Sequence, residues 1–122
     1  MLNSSDFGNL RFEDKKSQIE KYWTTKEILS FFGENLDSNI SNTTQLLGGH
    51  LLFKKNEHTK FFFEKFFEVI NNDWKLITDF YNHDQLPGFE DNRHDQSILS
   101  VLSKKYGGVI LENENFFENN ID

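Results

Sequence analysis

The sequence predicts a single small α/β domain, with an α+β arrangement as the alternative. Its 122 residues are enough for one hydrophobic core and too few for two. Segments with helical and strand-like apolar spacing alternate along the chain, in the order helix, strand, helix, helix, loop, helix, strand. Fourteen phenylalanines supply much of the apolar surface that can be buried. We therefore expect several helices packed on a short sheet through aromatic rings.

The two ends of the chain are predicted to lie outside this domain. Residues 1–21 combine serine, asparagine, aspartate and glycine without apolar periodicity, which predicts a polar N-terminal arm. Residues 112–122 are rich in asparagine and glutamate and predict a polar C-terminal tail. The domain itself is expected to span residues 22–111.

The first element of the domain is predicted to be a short amphipathic helix in the segment KYWTTKEILSFFGEN. Thr24 and Glu27 have the spacing of a capping box at its start. Apolar side chains fall on one face of this segment, and Gly33 is placed to end the helix.

A buried strand over residues 47–54 is predicted from the apolar run in QLLGGHLLFKKN. This run contains Gly48 and Gly49. Glycines inside a strand mark a bulge or a place where another group approaches the backbone closely. Both a packing role and a ligand-binding role fit the two glycines at this point.

A long helix is predicted for NEHTKFFFEKFFEVINNDW, because apolar residues recur at helical spacing with lysines and glutamates opposite. The stripe expected to pack into the core consists of Phe62, Phe63, Phe66, Phe67 and Ile70. A second, shorter helical segment is predicted over residues 74–81. The next stretch, NHDQLPGFEDNRHDQ, has no periodicity and contains Pro87, so we expect a loop long enough to carry function.

Helical order resumes in DQSILSVLSKKYGG, with Asp95 in position to cap the helix and Gly107 in position to end it. Its apolar face consists of Ile98, Leu99, Leu102 and Tyr106. The residues that follow, GVIL, predict a short buried strand, which completes the α/β pattern.

The composition excludes several classes of function. Thirteen basic and twenty acidic residues give a formal net charge of −7, which opposes binding to nucleic-acid phosphates or to an anionic membrane surface. The absence of cysteine excludes disulfides, thiolate zinc sites and a cysteine nucleophile. No apolar run has the length of a signal peptide or of a transmembrane segment. We therefore expect a soluble cytoplasmic protein with no nucleic-acid partner.

The candidate site is the polar group RHDQ at the start of the last helix. Exposed backbone N–H groups and the helix dipole favour a negative or hydroxyl-rich ligand there. Arg93, His94, Asp95 and Gln96 could grip a sugar or a phosphate in that position. In the alternative interpretation Asp95 only caps the helix, while Arg93 and His94 are solvated loop residues.

Two other kinds of site have weaker support. Imidazole and carboxylate groups suited to a divalent ion occur at His83, Asp84, His94 and Asp95, but without a diagnostic spacing. The chain has no Gly-rich phosphate loop and no Asp-x-Asp motif, for which Glu112-Asn113-Glu114 is the nearest substitute. We therefore predict no metal ligand from the residues alone.

Four segments together resemble the C-terminal half of bacterial glycosyltransferase-like proteins linked to lipopolysaccharide and capsular polysaccharide biosynthesis. They are YWTTKEILSFFG, QLLGGHLLFKKNEHTKFFFEKFFEVI, LITDFYN and FEDNRHDQSILSVLSKKYGG. The resemblance covers residues 22–111 and is most specific in RHDQSILSVL. That stretch is similar to the Asp-Gln segment found after the sugar-nucleotide half of GT-A-type glycosyltransferases.

The resemblance implies a fold, a set of site residues and a class of ligand. The fold is the acceptor-side half of a GT-A glycosyltransferase. Asp95 and Gln96 would be catalytic, at the mouth of the transfer site. Substrate-binding roles would fall to Arg93, His94, Gln45, Gly48, Gly49 and His83. The implied partners are a sugar nucleotide or a glycan acceptor, and the implied cofactor, not evident in the chain itself, is divalent Mn or Mg.

The chain departs from the family in one respect. Glycosyltransferases of this type have an N-terminal nucleotide-binding half with a metal-binding Asp-x-Asp motif, and only 21 residues precede the match here. The resemblance thus implies a partial enzyme and leaves its activity open. One alternative is a non-catalytic carbohydrate-binding or protein-interaction module that self-associates into a homo-oligomer through Phe-rich surfaces. A small acidic structural domain is the third interpretation.

Overall fold

A computed structural model of the chain describes residues 8–15 and 17–111. The predicted C-terminal tail at residues 112–122 and the first seven residues of the predicted arm lie outside the described residues. Within the described part, no helix combines the length and the apolar character needed to cross a membrane.

The described residues form a small mixed α/β domain, which confirms the predicted fold class at this level. In chain order the elements are β1 (Asn9–Glu13), α1 (Glu20–Trp23), α2 (Lys26–Phe31), a 3₁₀ helix (Ile40–Asn42), β2 (Leu46–Phe53), α3 (Glu57–Asn72), a second 3₁₀ helix (Trp74–Ile77), α4 (Asp95–Tyr106) and β3 (Val109–Leu111). The sheet has the order β2-β1-β3. In it β1 runs antiparallel to β2 and parallel to β3.

The central strand β1 lies inside the segment that we expected to be a polar arm, so this expectation is wrong for residues 9–13. Phe12 is 3% exposed, and Arg11 is fully buried. The strand looks polar in the sequence because Asn9 and Arg11 point toward α4. There they bond to other polar groups, including the Ser103 hydroxyl, instead of packing on apolar ones. A polar residue on a buried strand face gives no alternating hydrophobic signal.

The predicted helix after Trp23 is present as α2, with its cap one residue later than expected. Thr25, not Thr24, is the capping residue, and its side chain accepts a hydrogen bond of 3.4 Å from the Ile28 N–H. Glu27 bonds instead to Gln85, at 2.7 Å. Gly33 ends the helix as predicted, with a φ of 75° that a residue with a side chain rarely adopts.

The strand predicted over residues 47–54 is confirmed as β2. Its pairing with β1 slips between Arg11 and Glu13, which face Leu51 and Leu46 respectively. Leu46 and Leu51 are farther apart along β2 than their partners Glu13 and Arg11 are along β1. The extra residues of β2 form a bulge, which contains the two glycines. A bulge was one of the two features that the glycine pair predicted.

The long Phe-rich helix is confirmed as α3, but only part of its stripe is buried. Phe62 and Val69 are fully buried, whereas Phe67 is 57% exposed. Phe53 of β2 lies against Phe62 and Phe63, with ring centroids 5.6 and 4.7 Å apart. The helix predicted over residues 74–81 is a 3₁₀ helix that ends at Ile77.

The main core lies between α2, α3 and α4. Its fully or nearly buried residues are Ile28, Leu29, Phe32, Phe62, Val69, Leu76, Ile98, Leu99, Val101 and Leu102. The final helix and its Gly107 stop are confirmed, and Gly107 has a φ of 107°. The strand β3 exists, but the prediction that it is buried is wrong, because Ile110 is 41% exposed on this edge strand.

Candidate functional site

A layer of buried polar side chains separates α4 from the sheet. Ser97, Ser100 and Ser103 repeat every three residues on α4 and are all buried. Ser103 donates to the Asn9 side-chain oxygen at 3.0 Å and accepts from the Arg11 guanidinium at 2.8 Å. The face of α4 that meets the sheet is therefore a hydrogen-bonding face.

Arg11 holds the middle of this layer. Besides Ser103, its guanidinium donates to the backbone oxygens of Leu99 and Leu47, at 3.0 and 2.8 Å. Burial lowers the pKa of Arg11 to about 10, against the attraction of Glu20 and Asp95, which acts in the opposite direction. Among the described residues, the Arg11 Nε has no hydrogen-bond partner. Arg11 ties the central strand to α4 by polar contacts.

Glu20 is the second buried charge of the layer. It is fully buried and lies 2.9 Å from the Lys104 ammonium, whose side chain is 8% exposed. The Ser100 hydroxyl donates to one carboxylate oxygen, and Thr24 donates to the other at 2.7 Å. Such an ion pair is stable in the interior only because its oxygens have these further partners.

Gln45 connects Glu20 to the start of α4. Its amide nitrogen donates to Glu20 at 2.8 Å, and its oxygen accepts from the Gln96 amide at 2.7 Å. Gln96 in turn accepts a 3.0 Å hydrogen bond from the Gly48 N–H. Gln45 is 0% exposed, so it lies beneath the pocket, whereas the resemblance implied a substrate-binding role for it.

A polar pocket of about 410 Å³ opens at the amino end of α4. It is lined by Gly48 and by the six residues from Asp91 to Gln96. Asn92 fixes this loop from inside, because its amide donates to the backbone oxygens of Leu76 and Thr78 at 2.9 and 3.0 Å. Its side-chain oxygen accepts from the His94 N–H at 3.1 Å. The pocket wall is thus anchored to the core.

His94 lies at the cap position of α4 in an uncommon backbone conformation. Its φ of 57° and ψ of −120° are unfavourable for a residue with a side chain. The imidazole Nε2 is 2.6 Å from an Asp79 carboxylate oxygen, which joins the loop before α4 to the helix start. No side chain caps α4, so the expectation that Asp95 is the cap is wrong. Asp95 is the first helical residue, and its side chain is exposed.

Arg93 lies at the rim of the same pocket. Its guanidinium carbon is 5.0 Å from the centre of the Trp23 ring, which is a cation–π distance. Its backbone N–H donates to the Trp23 oxygen and to the Ser97 hydroxyl, at 3.1 and 3.0 Å. Arg93 therefore has a fixed backbone and a stacked, exposed cation.

The structure brings most of the predicted site residues together. Arg93, His94, Asp95, Gln96 and Gly48 line one pocket. Gly49 follows Gly48 in β2, and His83 lies exposed in the loop before the pocket. The buried partners Glu20, Arg11 and Asn92 were missed, because nothing in their local sequence distinguishes them from solvated residues. The three-residue spacing of the α4 serines, by contrast, does indicate a polar face on this helix.

The described residues do not provide a metal site. No group of three or more histidine, aspartate or glutamate side chains in that part of the chain could hold an ion. Asp84, one of the four residues considered for such a site, pairs with Lys26 at 3.3 Å. The divalent ion implied by the resemblance therefore has no such group of ligands among the described residues.

A second cavity, of about 440 Å³, has a different character. Its lining consists of Lys26, Glu27, Leu29, Ser30, Glu34, Asn35 and Leu36. Its charged groups already bond to protein partners, for example Glu34 to Lys105 at 3.0 Å. The pocket at α4 differs in having a lining of polar residues apart from Gly48, whereas the second cavity includes Leu29 and Leu36.

Fold and site together define a small mixed α/β domain with a polar pocket at the amino end of its last helix. The chain was compared with models of known protein families, with curated proteins and with solved structures, and no match was found.

Proposed function

We propose that this chain is a glycosyltransferase-like domain, the acceptor-side part of such an enzyme, which binds a hydroxyl-rich sugar ligand in the pocket at α4. The proposal rests on one observation. A single polar pocket is lined by Gly48, Arg93, His94, Asp95 and Gln96. The proposal places the protein in the cytoplasm of a bacterium, in the synthesis of a surface polysaccharide. Its ligand is a sugar nucleotide or a glycan acceptor.

Asp95 and Gln96 have the central roles in this proposal. An exposed carboxylate at the first position of a helix accepts hydrogen bonds from sugar hydroxyls and supports positive charge that develops at an anomeric carbon. The Gln96 carboxamide both donates and accepts, as a hydroxyl does. Arg93 and His94 are the candidates for binding a phosphate group of the donor or further hydroxyls, and His94 would do so beside its partner Asp79. Because α4 is anchored by its buried polar layer, these groups stand on a rigid base.

A thermal-shift screen tests the proposal. The purified protein is melted with a panel of sugar nucleotides and free hexoses, with and without Mn²⁺, since a ligand that binds only the folded state must raise the melting temperature. We expect at least one sugar to raise it, and the Asp95→Asn variant to lose that shift. A panel without any shift for a cooperatively melting protein would overturn the proposal.

Glu57→Gln is the matched control for Asp95→Asn. Glu57 is also the first residue of a helix, α3, and its side chain is also exposed. Each change removes one negative charge from a helix start, at a cost of about 0.3–1 kcal/mol of stability. The unliganded Asp95→Asn variant should melt at or somewhat below the Glu57→Gln variant, because Asp95 also attracts the buried Arg11. Only Asp95→Asn should lose the ligand response.

The second candidate function is the self-associating module, and one observation favours it. Phe67, in the last two turns of α3, is 57% exposed, and Trp74, just after the helix, is 65% exposed. Leu52 of β2 is 61% exposed. Exposed apolar groups of this size favour association. Sedimentation velocity over a range of concentrations tests this function. A dimer that the Phe67→Ser change dissociates, together with silence in the sugar panel, would favour it over the first candidate.

A further inference from the structure

We propose that Glu20 and Gln45 are positioning residues that fix the orientation of the Gln96 carboxamide, and that the hydrogen-bonding capacity left on Gln96 selects a ligand hydroxyl. The identity of the ligand rests on the proposed function above. The orientation of Gln96 does not, because it follows from the contacts within the chain.

The hydrogen bonds all point toward the interior, from the Gly48 N–H through Gln96 and Gln45 to the buried Glu20 carboxylate. An ionised carboxylate only accepts, so the Gln45 amide must present its nitrogen to Glu20, at 2.8 Å. The Gln45 oxygen then faces Gln96, whose nitrogen lies 2.7 Å away. At the other end a backbone N–H only donates, so the Gln96 oxygen must face Gly48, at 3.0 Å. Both carboxamides are thereby locked against the flip that exchanges nitrogen and oxygen.

The burial of the two inner residues keeps this arrangement rigid. Glu20 and Gln45 are both 0% exposed, so water does not compete for their hydrogen bonds. Lys104 pairs with Glu20 at 2.9 Å, and Thr24 donates to it at 2.7 Å. These contacts hold the Glu20 carboxylate from other directions. Its hydrogen bond with Gln45 therefore does not displace it.

Gln96 retains part of its hydrogen-bonding capacity. A carboxamide has two N–H donors and two oxygen lone pairs. One donor is used by Gln45 and one lone pair by Gly48, while the Asp14 carboxylate is 3.5 Å from the nitrogen, at the limit of a hydrogen bond. A hydroxyl, which donates and accepts, can use the remaining lone pair and also the second donor, in place of the long contact with Asp14. An unprotonated phosphate oxygen can use only the donor, so Gln96 favours a sugar hydroxyl over a phosphate group.

The orientation is tested by NMR on the unmodified protein and on two variants. In the wild type, a scalar coupling across the hydrogen bond should connect the Gly48 amide nitrogen to the side-chain carbonyl carbon of Gln96. Gln45→Met removes the link to Glu20 and keeps the size of the side chain. We expect the Gly48 amide to exchange its hydrogen about fivefold faster in this variant, since one hydrogen bond is weakened.

Ser103→Ala is the matched control. It also removes buried hydrogen bonds between α4 and the sheet, but Ser103 contacts Asn9 and Arg11 and neither Gln45 nor Gln96. Ser103→Ala should therefore destabilise the protein and leave the Gly48 amide exchange and the Gln96 side-chain resonances near their wild-type values. Equal changes in the two variants would overturn the positioning role. Absence of the coupling in the wild type would overturn it without any variant.

The ligand selection is tested in the same spectra with a free hexose, a sugar nucleotide and inorganic phosphate. We expect the sugars to shift the Gln96 side-chain amide resonances and phosphate alone to leave them unchanged. Phosphate shifting these resonances as much as the hexose would overturn the selection. If no sugar binds, the proposed function and the hydroxyl selection both fall, while the Gly48 measurements still decide whether Glu20 and Gln45 position Gln96.

Discussion

Gly48 and Gln96 lie so close that a β-carbon built on residue 48 would come 2.9 Å from the Gln96 Cβ and 3.2 Å from its Cα. These two atoms belong to the first turn of α4 and cannot rotate away, unlike the end of a long side chain. The same approach allows the Gly48 N–H to donate to the Gln96 side chain. Close packing of α4 on β2 is therefore one role of this glycine, which also lines the pocket.

Gly48→Ala should destabilise the protein by about 1–3 kcal/mol, because the added methyl group overpacks the contact between α4 and β2. Urea unfolding followed by circular dichroism measures this change. The substitution Gln96→Gly removes the closest atom, so the loss caused by Gly48→Ala should be smaller in the Gln96→Gly background than in the wild type. A Gly48→Ala protein as stable as the wild type would show that α4 moves away from β2 at no cost.

The backbone of His94 supplies the second prediction. His94→Ala and His94→Gly both remove the contact with Asp79, but only glycine accepts a φ of 57° without strain. We therefore expect the glycine variant to be more stable than the alanine variant by about 1 kcal/mol. Urea unfolding of the two variants measures this difference.

His83 provides the matched pair for His94. It lies exposed in the preceding loop, and His94 is the one described residue other than glycine with a positive φ. The alanine variant at His83 should be at least as stable as the glycine variant. The same order at His94 would show that its backbone relaxes when the side chain is removed.

The elements that were predicted correctly are those whose sequence pattern depends only on residues within the element. The helical spacing of α3 and α4, the apolar run of β2 and the stops at Gly33 and Gly107 depend on neighbours in the sequence. The strand β1 was missed because two of its buried side chains, Asn9 and Arg11, are polar and bond to Ser103, more than ninety residues away. A single sequence does not reveal such a partner, so a polar strand looks like a solvated arm.

The candidate site likewise contains residues that were predictable from the sequence and residues that were not. Polar residues at a helix start are visible in the sequence, and RHDQ was found at the pocket wall. The position of Gln45 was not predictable, because its burial depends on Glu20 and Trp23, which approach it from another part of the chain. Its amide looks like any exposed glutamine until those partners are in place.

The pair formed by Glu34 and Lys105 predicts a dependence of stability on pH. The hydrogen bond from Lys105 lowers the pKa of Glu34 below its ordinary value of 4.5. A lowered pKa in the folded state contributes stability above the ordinary value, and this contribution is lost as the pH falls through the lowered pKa. Glu34→Gln should therefore be less stable than the wild type at pH 7, by about 1 kcal/mol or less because the pair is partly solvated.

Unfolding of both proteins between pH 7 and pH 2 measures this difference, which should shrink toward zero in acid. Lys105→Met serves as the comparison, because Lys105 also bonds to the backbone oxygen of Phe32 at the end of α2. That variant should show an additional loss that does not depend on pH. A Glu34→Gln difference that stays constant with pH would contradict the assignment.

The buried pair of Glu20 and Lys104 gives the largest expected effect. Glu20→Gln leaves a lysine that is 8% exposed without its counter-charge, which typically costs about 3–5 kcal/mol. Converting both residues, Glu20→Gln with Lys104→Met, should recover part of this loss because the buried lysine charge is then removed together with its partner. The exposed pair Lys65 and Glu68, 3.3 Å apart on α3, provides the control, and its removal should cost less than about 1 kcal/mol. A double-mutant cycle by urea unfolding measures both couplings. If the two couplings were equal, Glu20 would behave as a solvated carboxylate, and the polar layer beneath α4 would be open to water.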